Sequence, residues 1–345
     1  MVLTDLVESG VATAAVGLVG TPESILWTAA AGEARPGVPA TPETRFDYAS
    51  LTKLFTASLA LVLDAEGTLP LSTRIREVWP EADPRLGRRT LEELLRHRSG
   101  LQGWAPLYHL CRTREEVLAL LLGGTRLGAR AETYSDLDYL LWGMTAERVT
   151  GGPLAELLRT RVLDPLGLAA VEPAPGDRTD VARSPMDTGK EADLAAQQGL
   201  AIATLPPPAV GEPQDGNVRF LAGLPGWGPL AGHAGLFGRA RDLQALAAEW
   251  LAPGRVLEPV RVAAALSAGA GGRSFALGWW RRTLRGSAGP ALPPSSVGHT
   301  GFAGNSLWID RERRRIYVLL AARIDPRYDM NRWRRRFHAG AAALK

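Results

Sequence analysis

The two ends of this 345-residue chain carry the patterns of β-strands, and the long middle carries the pattern of helices. Near the N-terminus, residues 13–19 and 24–30 are partly β-branched and flank a short turn, which predicts an antiparallel hairpin. Near the C-terminus, residues 306–309 and 316–322 flank a charged turn in the same way. We expect both ends to share one antiparallel sheet, because a domain is built from a few packed layers around one core.

Apolar residues at helical spacing run through the middle of the chain. After Ser50, the residues Leu54, Ala57 and Leu61 recur on one face, which predicts a helix with Ser50 at its N-terminal end. The same criterion predicts helices at residues 90–97, 114–122, 137–149, 153–162, 239–250 and 330–344. Strands at the ends and helices between them indicate an α+β fold.

The predicted architecture is an antiparallel sheet flanked by N- and C-terminal helices, with an inserted all-helical lobe. Residues 1–60 and 230–345 are assigned to the discontinuous sheet domain, and residues 61–229 to the mainly helical domain. A cleft between two lobes is a common position for a small-molecule site, so we expect the active site there.

Composition is that of an ordinary globular protein, since 46% of the residues are hydrophobic and 22% are charged. A single cysteine, Cys111, has no partner for an internal disulfide, so nothing requires an oxidising compartment. The N-terminal segment lacks a positively charged start, and Asp5 and Glu8 interrupt its apolar run. This is not the pattern of a signal peptide, and no apolar run has the length of a transmembrane helix. We therefore expect a cytoplasmic protein.

The net charge of +4 and the pI of about 9.5 come largely from arginine, which clusters at residues 311–315 and 332–336. We interpret the first cluster as a solvated turn and the second as the wet face of a helix, because Trp333 and Phe337 lie at helical spacing and should face the core. No nucleic-acid motif accompanies them, so no nucleic-acid partner is predicted. No metal or cofactor is predicted, and the sequence leaves the oligomeric state open.

Lysine is scarce: Lys53, Lys190 and Lys345 are the three lysines of the chain. Lysine can act as a base when burial lowers its pKa, whereas arginine keeps its proton. Lys53 follows Ser50 by one helical turn, so both side chains share a face. Serine needs an adjacent base to be a nucleophile, and a helix N-terminus favours an oxyanion. The alternative is a surface lysine left over by an arginine-rich composition.

Two other short segments carry chemistry. In Tyr134-Ser135-Asp136, a phenol close to an ammonium group can act as a general base or acid. The alternative is a loop tyrosine, and in either case Asp136 is predicted to cap the following helix. In the second segment, residues 299–302, Thr300 could bind substrate and the Phe302 N–H could complete an oxyanion hole. His299 alone could equally be a structural histidine.

Together these segments resemble the serine β-lactamase and penicillin-binding-protein superfamily, on the branch related to class C β-lactamases that includes the family VIII esterases. The resemblance extends over roughly residues 10–340, and it includes the following segments of this chain: FDYASLTK at 46–53, LLRHRSGL at 94–101, GHAGLF at 232–237, GHTG at 298–301 and NSLWID at 305–310.

The resemblance implies a serine hydrolase that acts on a small-molecule ester or amide. By the resemblance, Ser50 is the acylated nucleophile, and Lys53 and Tyr134 share the proton transfers. The N–H groups of Ser50 and Phe302 would form the oxyanion hole. The substrate-binding positions that it implies are Asp136, His299, Thr300 and Gly301.

Two positions depart from the family pattern. Asp136 replaces the usual asparagine, and an ionised aspartate near Lys53 would favour the charged lysine. We therefore hypothesise that Tyr134 is the resting base and Lys53 its electrostatic activator. His299 replaces the usual lysine, which weakens the anchor for a substrate carboxylate.

The weaker anchor favours an esterase or small-amide hydrolase. The alternatives are a β-lactamase, a D-Ala-D-Ala carboxypeptidase, and a non-catalytic binding protein on the same fold. A standard α/β-hydrolase is disfavoured, because the chain has no Gly-x-Ser-x-Gly segment.

Overall fold

A computed structural model describes residues 2–124, 132–185, 189–267, 274–283 and 285–342 of the protein. The strands are β1 (Ala12–Gly20), β2 (Ile25–Arg35), β3 (Val38–Pro39), β4 (Phe46–Asp47), β5 (Glu172–Pro173), β6 (Leu236–Gly238), β7 (Trp280–Arg281), β8 (Val297–Thr300), β9 (Ser306–Asp310) and β10 (Arg315–Arg323). The helices are α1 (Val2–Glu8), α2 (Thr52–Ala65), α3 (Ile75–Val78), α4 (Pro84–Gly87), α5 (Leu91–Leu95), α6 (Leu107–Leu110), α7 (Arg114–Ala119), α8 (Asp136–Thr150), α9 (Leu154–Leu158), α10 (Asp164–Leu166), α11 (Lys190–Gln197), α12 (Gly216–Ala222), α13 (Ala240–Leu251), α14 (Pro259–Leu266) and α15 (Met330–Ala341).

The first and last long strands of the chain are direct neighbours in one sheet. The described residues form a seven-stranded antiparallel sheet in the order β3-β2-β1-β10-β9-β8-β7. Strand β1 pairs with β10, with Val16 opposite Leu320 and Leu18 opposite Val318. The predicted shared sheet and the α+β class are confirmed. The domain division at residues 60 and 230 stays a prediction.

Strand β1 sends alternate side chains into two apolar cores, as the two-residue period of a strand requires. Val16 and Leu18 lie in the larger core, together with residues of α2 and α13. Ala15 and Val19 lie in a smaller core with residues of α1 and α15. The terminal helices therefore flank the sheet as predicted. Trp333 of α15 faces this smaller core, and the predicted end of the helix at residues 343–344 lies outside the described residues.

Several predicted helices end early or change type. The segment predicted at 114–122 is α-helical to Ala119 and continues as a π-helical turn, Leu120–Gly124. The segment predicted at 153–162 likewise passes from α9 into a π-helical turn, Arg159–Leu163. A π-turn shifts the helical register by only one residue, so the spacing of apolar residues does not reveal it.

Helix α2 runs through the larger core, and most of its side chains are buried. Two of its hydroxyl groups attach it to the surrounding chain. The Trp250 indole N–H donates to Ser58 Oγ at 2.8 Å, and Thr56 Oγ1 donates to the Gly232 carbonyl at 2.7 Å. Gly232 packs so closely that a Cβ there would lie 2.3 Å from the Tyr139 carbonyl oxygen. This close packing fixes the N-terminal end of α2 relative to the rest of the molecule.

None of the helices in the described part of the chain combines the length and the apolar character that a membrane crossing requires.

Asn305 joins strand β10 to the segment that precedes Ser50. Its Nδ2 donates to the Asp47 carbonyl at 2.6 Å, and its Oδ1 accepts from the Ala321 N–H at 2.9 Å. Asn305→Ala leaves two buried backbone groups without these partners, so we expect the free energy of unfolding to fall by about 2–4 kcal/mol. Urea denaturation measures this loss. Gln197→Ala, which removes an exposed amide, is the control, and a loss at Asn305 no larger than the control's would contradict the prediction.

Candidate active site

Residues from many distant parts of the sequence line one cleft of about 770 Å³. Six of the sequence-predicted site residues are in its wall: Ser50, Tyr134, Asp136, Thr300, Gly301 and Phe302. The other two, Lys53 and His299, are fully buried. The cleft therefore brings together the residues that the sequence placed in one site. Among the described residues, no cluster of three or more histidine, cysteine or acidic side chains is arranged to hold a metal ion.

Ser50 lies in a short 3₁₀ turn, Ala49–Leu51, which leads directly into α2. The residue before it, Ala49, has a φ of 48°, a region that non-glycine residues seldom occupy and that is often found near functional sites. The Ala49 N–H donates to Asp47 Oδ1 at 2.9 Å, and burial raises the pKa of Asp47 to about 6. Gly301 packs against this turn, since a Cβ there would lie 2.7 Å from the Tyr48 carbonyl oxygen.

The Lys53 amine lies at the centre of the site. Its Nζ donates to Ser50 Oγ at 3.0 Å, to Asp136 Oδ1 at 2.7 Å and to the His233 carbonyl at 3.1 Å. Burial lowers the pKa of Lys53, and the Asp136 carboxylate opposes this shift without cancelling it. A lysine with a lowered pKa beside a serine hydroxyl has the geometry of a general base.

The Tyr134 hydroxyl is the second group on Ser50, and it donates to Ser50 Oγ at 2.9 Å. Burial and the Asp136 charge raise the pKa of Tyr134 well above 10, so the phenol keeps its proton at neutral pH. These directions oppose the hypothesis that Tyr134 is the resting base. Asp136 acts on the phenol as well as on the lysine, and its charge raises the pKa of Tyr134.

The predicted capping role of Asp136 is wrong. Ser135 is the N-cap of α8, and its Oγ accepts from the Asp138 N–H at 3.3 Å. Asp136 is the first residue inside the helix, and its carboxylate pairs with Lys53 instead. Serine and aspartate are both good caps, so a Ser-Asp pair does not show which of them performs the role.

His299 in strand β8 is fully buried, and burial lowers its pKa to about 3. Its Nδ1 lies 2.8 Å from the Thr300 carbonyl oxygen, so this nitrogen carries the proton of the neutral ring. The segment at residues 299–302 therefore presents a neutral side chain at position 299, where the family usually has a lysine. Two arginines near the cleft donate to backbone carbonyls of the adjoining turn: Arg323 to Phe302 and Arg334 to Gly301.

His233 and Asp215 belong to the site but were not predicted from the sequence. The carbonyl of His233 accepts from Lys53, and the His233 Nε2 lies 3.3 Å from Asp215 Oδ2. Burial raises the pKa of Asp215, but His233, the Val218 N–H and Lys53 together lower it by more, so the net shift is downward. His233 lies in the segment GHAGLF, which resembles the family, but no role was predicted for it from the sequence. Nothing in the sequence around Asp215 indicated a site.

The sequence model of the family described as Beta-lactamase matches residues 2–341, and the chain belongs to this family. The chain is 29% identical to esterase EstB of Burkholderia gladioli, over 86% of this chain and 82% of that protein. It is 27% identical to a protein of Escherichia coli K12 that is provisionally named a D-alanyl-D-alanine carboxypeptidase, over 82% of this chain and 70% of the relative.

Solved structures agree with this assignment at the level of the fold. EstCE1, a hydrolase with promiscuous acyltransferase activity, has a TM-score of 0.76 at 22% identity, covering 98% of this chain and 97% of its own. A class C β-lactamase from Rhodobacter sphaeroides has a TM-score of 0.74 at 18% identity, covering 100% of this chain and 98% of its own. The family model thus confirms the resemblance to the β-lactamase family, and the solved structures confirm the fold.

The scarcity of lysine allows a direct measurement of the Lys53 pKa. Removing the Asp136 charge in Asp136→Asn deletes the attraction that opposes burial, so the pKa of Lys53 should fall further. Lysine labelled with ¹⁵N gives signals from three residues, and titration of the Lys53 Nζ signal reports the shift. The Lys190 signal serves as an internal reference. A Lys53 pKa that is unchanged or higher in the variant would contradict the electrostatic account.

Proposed function

We propose that the protein is a serine hydrolase that forms an acyl-enzyme on Ser50, with an uncharged ester or a small amide as its substrate. One observation carries the proposal: the Ser50 hydroxyl lies 3.0 Å from a buried lysine amine and 2.9 Å from a tyrosine hydroxyl, in the wall of an open cleft. Nucleophile and base are within hydrogen-bond reach, which is the geometric requirement for an activated serine.

In the proposed acylation, the neutral Lys53 amine takes the proton of Ser50 as Oγ attacks the substrate carbonyl carbon. The new Oγ–C bond forms while the carbonyl electron pair moves onto oxygen. When this intermediate collapses, the bond to the leaving oxygen breaks and that oxygen takes a proton from Tyr134. Tyr134 recovers its proton from the Lys53 ammonium, so an alcohol leaves and the neutral amine returns.

In the proposed deacylation, the same groups act on water. Water attacks the acyl carbon as its proton passes to Lys53, with Tyr134 as the intermediate carrier. The Ser50–acyl bond then breaks, and the serine oxygen takes the proton back as the acid is released. Tyr134 is suited to passing protons because its phenol starts protonated, and Lys53 is suited to accepting them because burial favours its neutral form.

The N–H groups of Ser50 and Phe302 are the proposed oxyanion hole. Both residues line the cleft, and the end of β8 packs against the turn that carries Ser50. The hydrogen bond from Arg323 to the Phe302 carbonyl holds this part of the backbone in place. A preorganised donor of this kind contributes about 3–4 kcal/mol of transition-state stabilisation.

The neutral His299 supports an uncharged substrate over one that carries a carboxylate. The imidazole has a pKa of about 3 and is uncharged at physiological pH. The similarity to esterase EstB favours an ester as substrate, whereas the E. coli relative named for carboxypeptidase activity favours the alternative. We rank ester hydrolysis above peptidase or β-lactamase activity, because the buried His299 offers no charge to a carboxylate.

Ser50→Ala tests the acyl-enzyme. We expect hydrolysis of a short-chain p-nitrophenyl ester to fall by at least about 10³-fold, because the nucleophile is absent. Mass spectrometry after treatment with a fluorophosphonate should show the adduct on Ser50 in the wild type. Ser295→Ala removes an exposed serine hydroxyl that bonds Glu312 and is the control, for which we expect full activity.

Labelling of a different residue, or equal turnover by wild type and Ser50→Ala, would exclude the proposed chemistry. A wild type with neither labelling nor turnover on the ester or on a chromogenic cephalosporin would favour a binding protein on this fold.

His299→Lys tests the charge of the substrate. A cation at this position should raise kcat/KM for a cephalosporin, which carries a carboxylate, relative to the uncharged p-nitrophenyl ester by about 10-fold or more, since a charge-assisted hydrogen bond is worth about 1.5–3 kcal/mol. His299→Gln changes the side chain without adding charge and is the matched control. If the lysine and glutamine variants show the same ratio of kcat/KM for the cephalosporin to kcat/KM for the ester, charge at position 299 does not set the substrate preference.

A further inference from the structure

The segment LLRHRSGL at residues 94–101 resembles a family motif, yet the proposed chemistry gives it no part. His97 in this segment is buried and lies directly beside Tyr134, with the two ring centroids 4.7 Å apart. It has a φ of 56°, where the chain turns sharply after α5. Histidine is one of the few side chains enriched at positive φ, so the residue type suits this backbone conformation.

His97 holds the chain on both sides of Tyr134. The N–H of the preceding residue, Thr133, donates to the His97 carbonyl at 3.1 Å. The N–H of the following residue, Ser135, donates to the His97 ring nitrogen Nδ1 at 3.1 Å. Two further bonds extend this contact, from Ser135 Oγ to the Gln102 carbonyl and from the Asp136 N–H to the Gly103 carbonyl.

The Ser135 bond determines the protonation of the imidazole. A backbone N–H can only donate, so Nδ1 must accept and cannot carry a proton. The ring is therefore neutral and protonated on Nε2. Its surroundings agree: burial, the nearby Lys53 and His299 all lower the pKa of His97. The closest carboxyl group, Oδ2 of Asp138 at 3.5 Å, does not oppose this, because burial raises the pKa of Asp138 well above its usual value.

We propose that His97 is a positioning residue, whose Nδ1 fixes the Ser135 peptide and thereby holds the Tyr134 hydroxyl against Ser50. This inference rests on the proposed function, in which Tyr134 transfers protons. It assigns His97 no proton transfer of its own. A displacement of about 1 Å at a group that takes part in the reaction can reduce a rate by about 100-fold, so the position of this peptide affects kcat.

Two substitutions at His97 distinguish the effect of losing the hydrogen-bond acceptor from the effect of the backbone conformation. Asparagine and glycine both tolerate the positive φ, but only asparagine places an acceptor oxygen where Nδ1 was. We expect His97→Asn to keep kcat within about fivefold of wild type and His97→Gly to lose about 10–100-fold, with KM changed by less than about threefold in both. Rates are expressed per Ser50 labelled by fluorophosphonate, so unfolded protein does not contribute.

The same pair of substitutions at His338, a buried histidine whose Nδ1 contacts the Ala288 carbonyl on the other face of the sheet, is the matched control. There the asparagine and glycine variants should have equal kcat per labelled site. Equal kcat for the two His97 variants, or a loss that falls on KM instead of kcat, would overturn the proposal.

A second measurement does not depend on the variants folding. ¹⁵N NMR of the wild-type protein near neutral pH should show an unprotonated Nδ1 and a protonated Nε2 for His97. A proton on Nδ1 would exclude the Ser135 bond and with it the positioning role. An absence of Ser50 labelling in the wild type would instead count against the proposed function, so the two failures are distinguishable.

Discussion

The burial of the Lys53 amine is the constraint on which the rest of the site depends. A lysine nitrogen removed from water must find hydrogen-bond acceptors, and here they are Ser50, Asp136 and the His233 carbonyl. These acceptors come from three separate parts of the chain. The helix α2, the start of α8 and the segment before β6 are therefore brought together around one nitrogen. This convergence places Ser50 in the cleft wall beside Lys53, and the proposed reactivity of Ser50 depends on it.

Electrostatics then decides which group holds a proton. Asp136 lies close to both Lys53 and Tyr134, and one carboxylate acts on the two in the same direction, since it favours the protonated form of each. Burial shifts the two pKa values in opposite directions, because it favours the neutral form of each group. It lowers the pKa of the Lys53 amine and raises the pKa of the Tyr134 phenol. The outcome is a lysine shifted towards its deprotonated, neutral form and a tyrosine held in its protonated, neutral form. This division is what a base and a proton carrier require.

Much of the fold was accessible from the sequence, because it depends on periodicity. The hairpin at the N-terminus and the strands near residues 306 and 316 were predicted from short segments, β-branched in part, on either side of turns. The Ser-x-x-Lys spacing singled out Ser50 and Lys53 as candidates. The π-turns, the cap at Ser135 and the contact of Lys53 with a backbone carbonyl were not accessible. They depend on register shifts and on tertiary packing, neither of which leaves a trace in residue type. The hypothesis that Tyr134 is the resting base left out the burial of its phenol, which raises the pKa of Tyr134 and opposes that role.

Burial beside Lys53 keeps the side chains of His97 and His299 neutral. Each histidine is buried, and the nearby lysine lowers the pKa of both. A positive charge on either imidazole would lack a carboxylate partner, because Asp136 already pairs with Lys53 and burial raises the pKa of Asp138 well above its usual value. The two buried imidazoles therefore contribute neutral hydrogen-bonding groups around the Lys53–Asp136 pair.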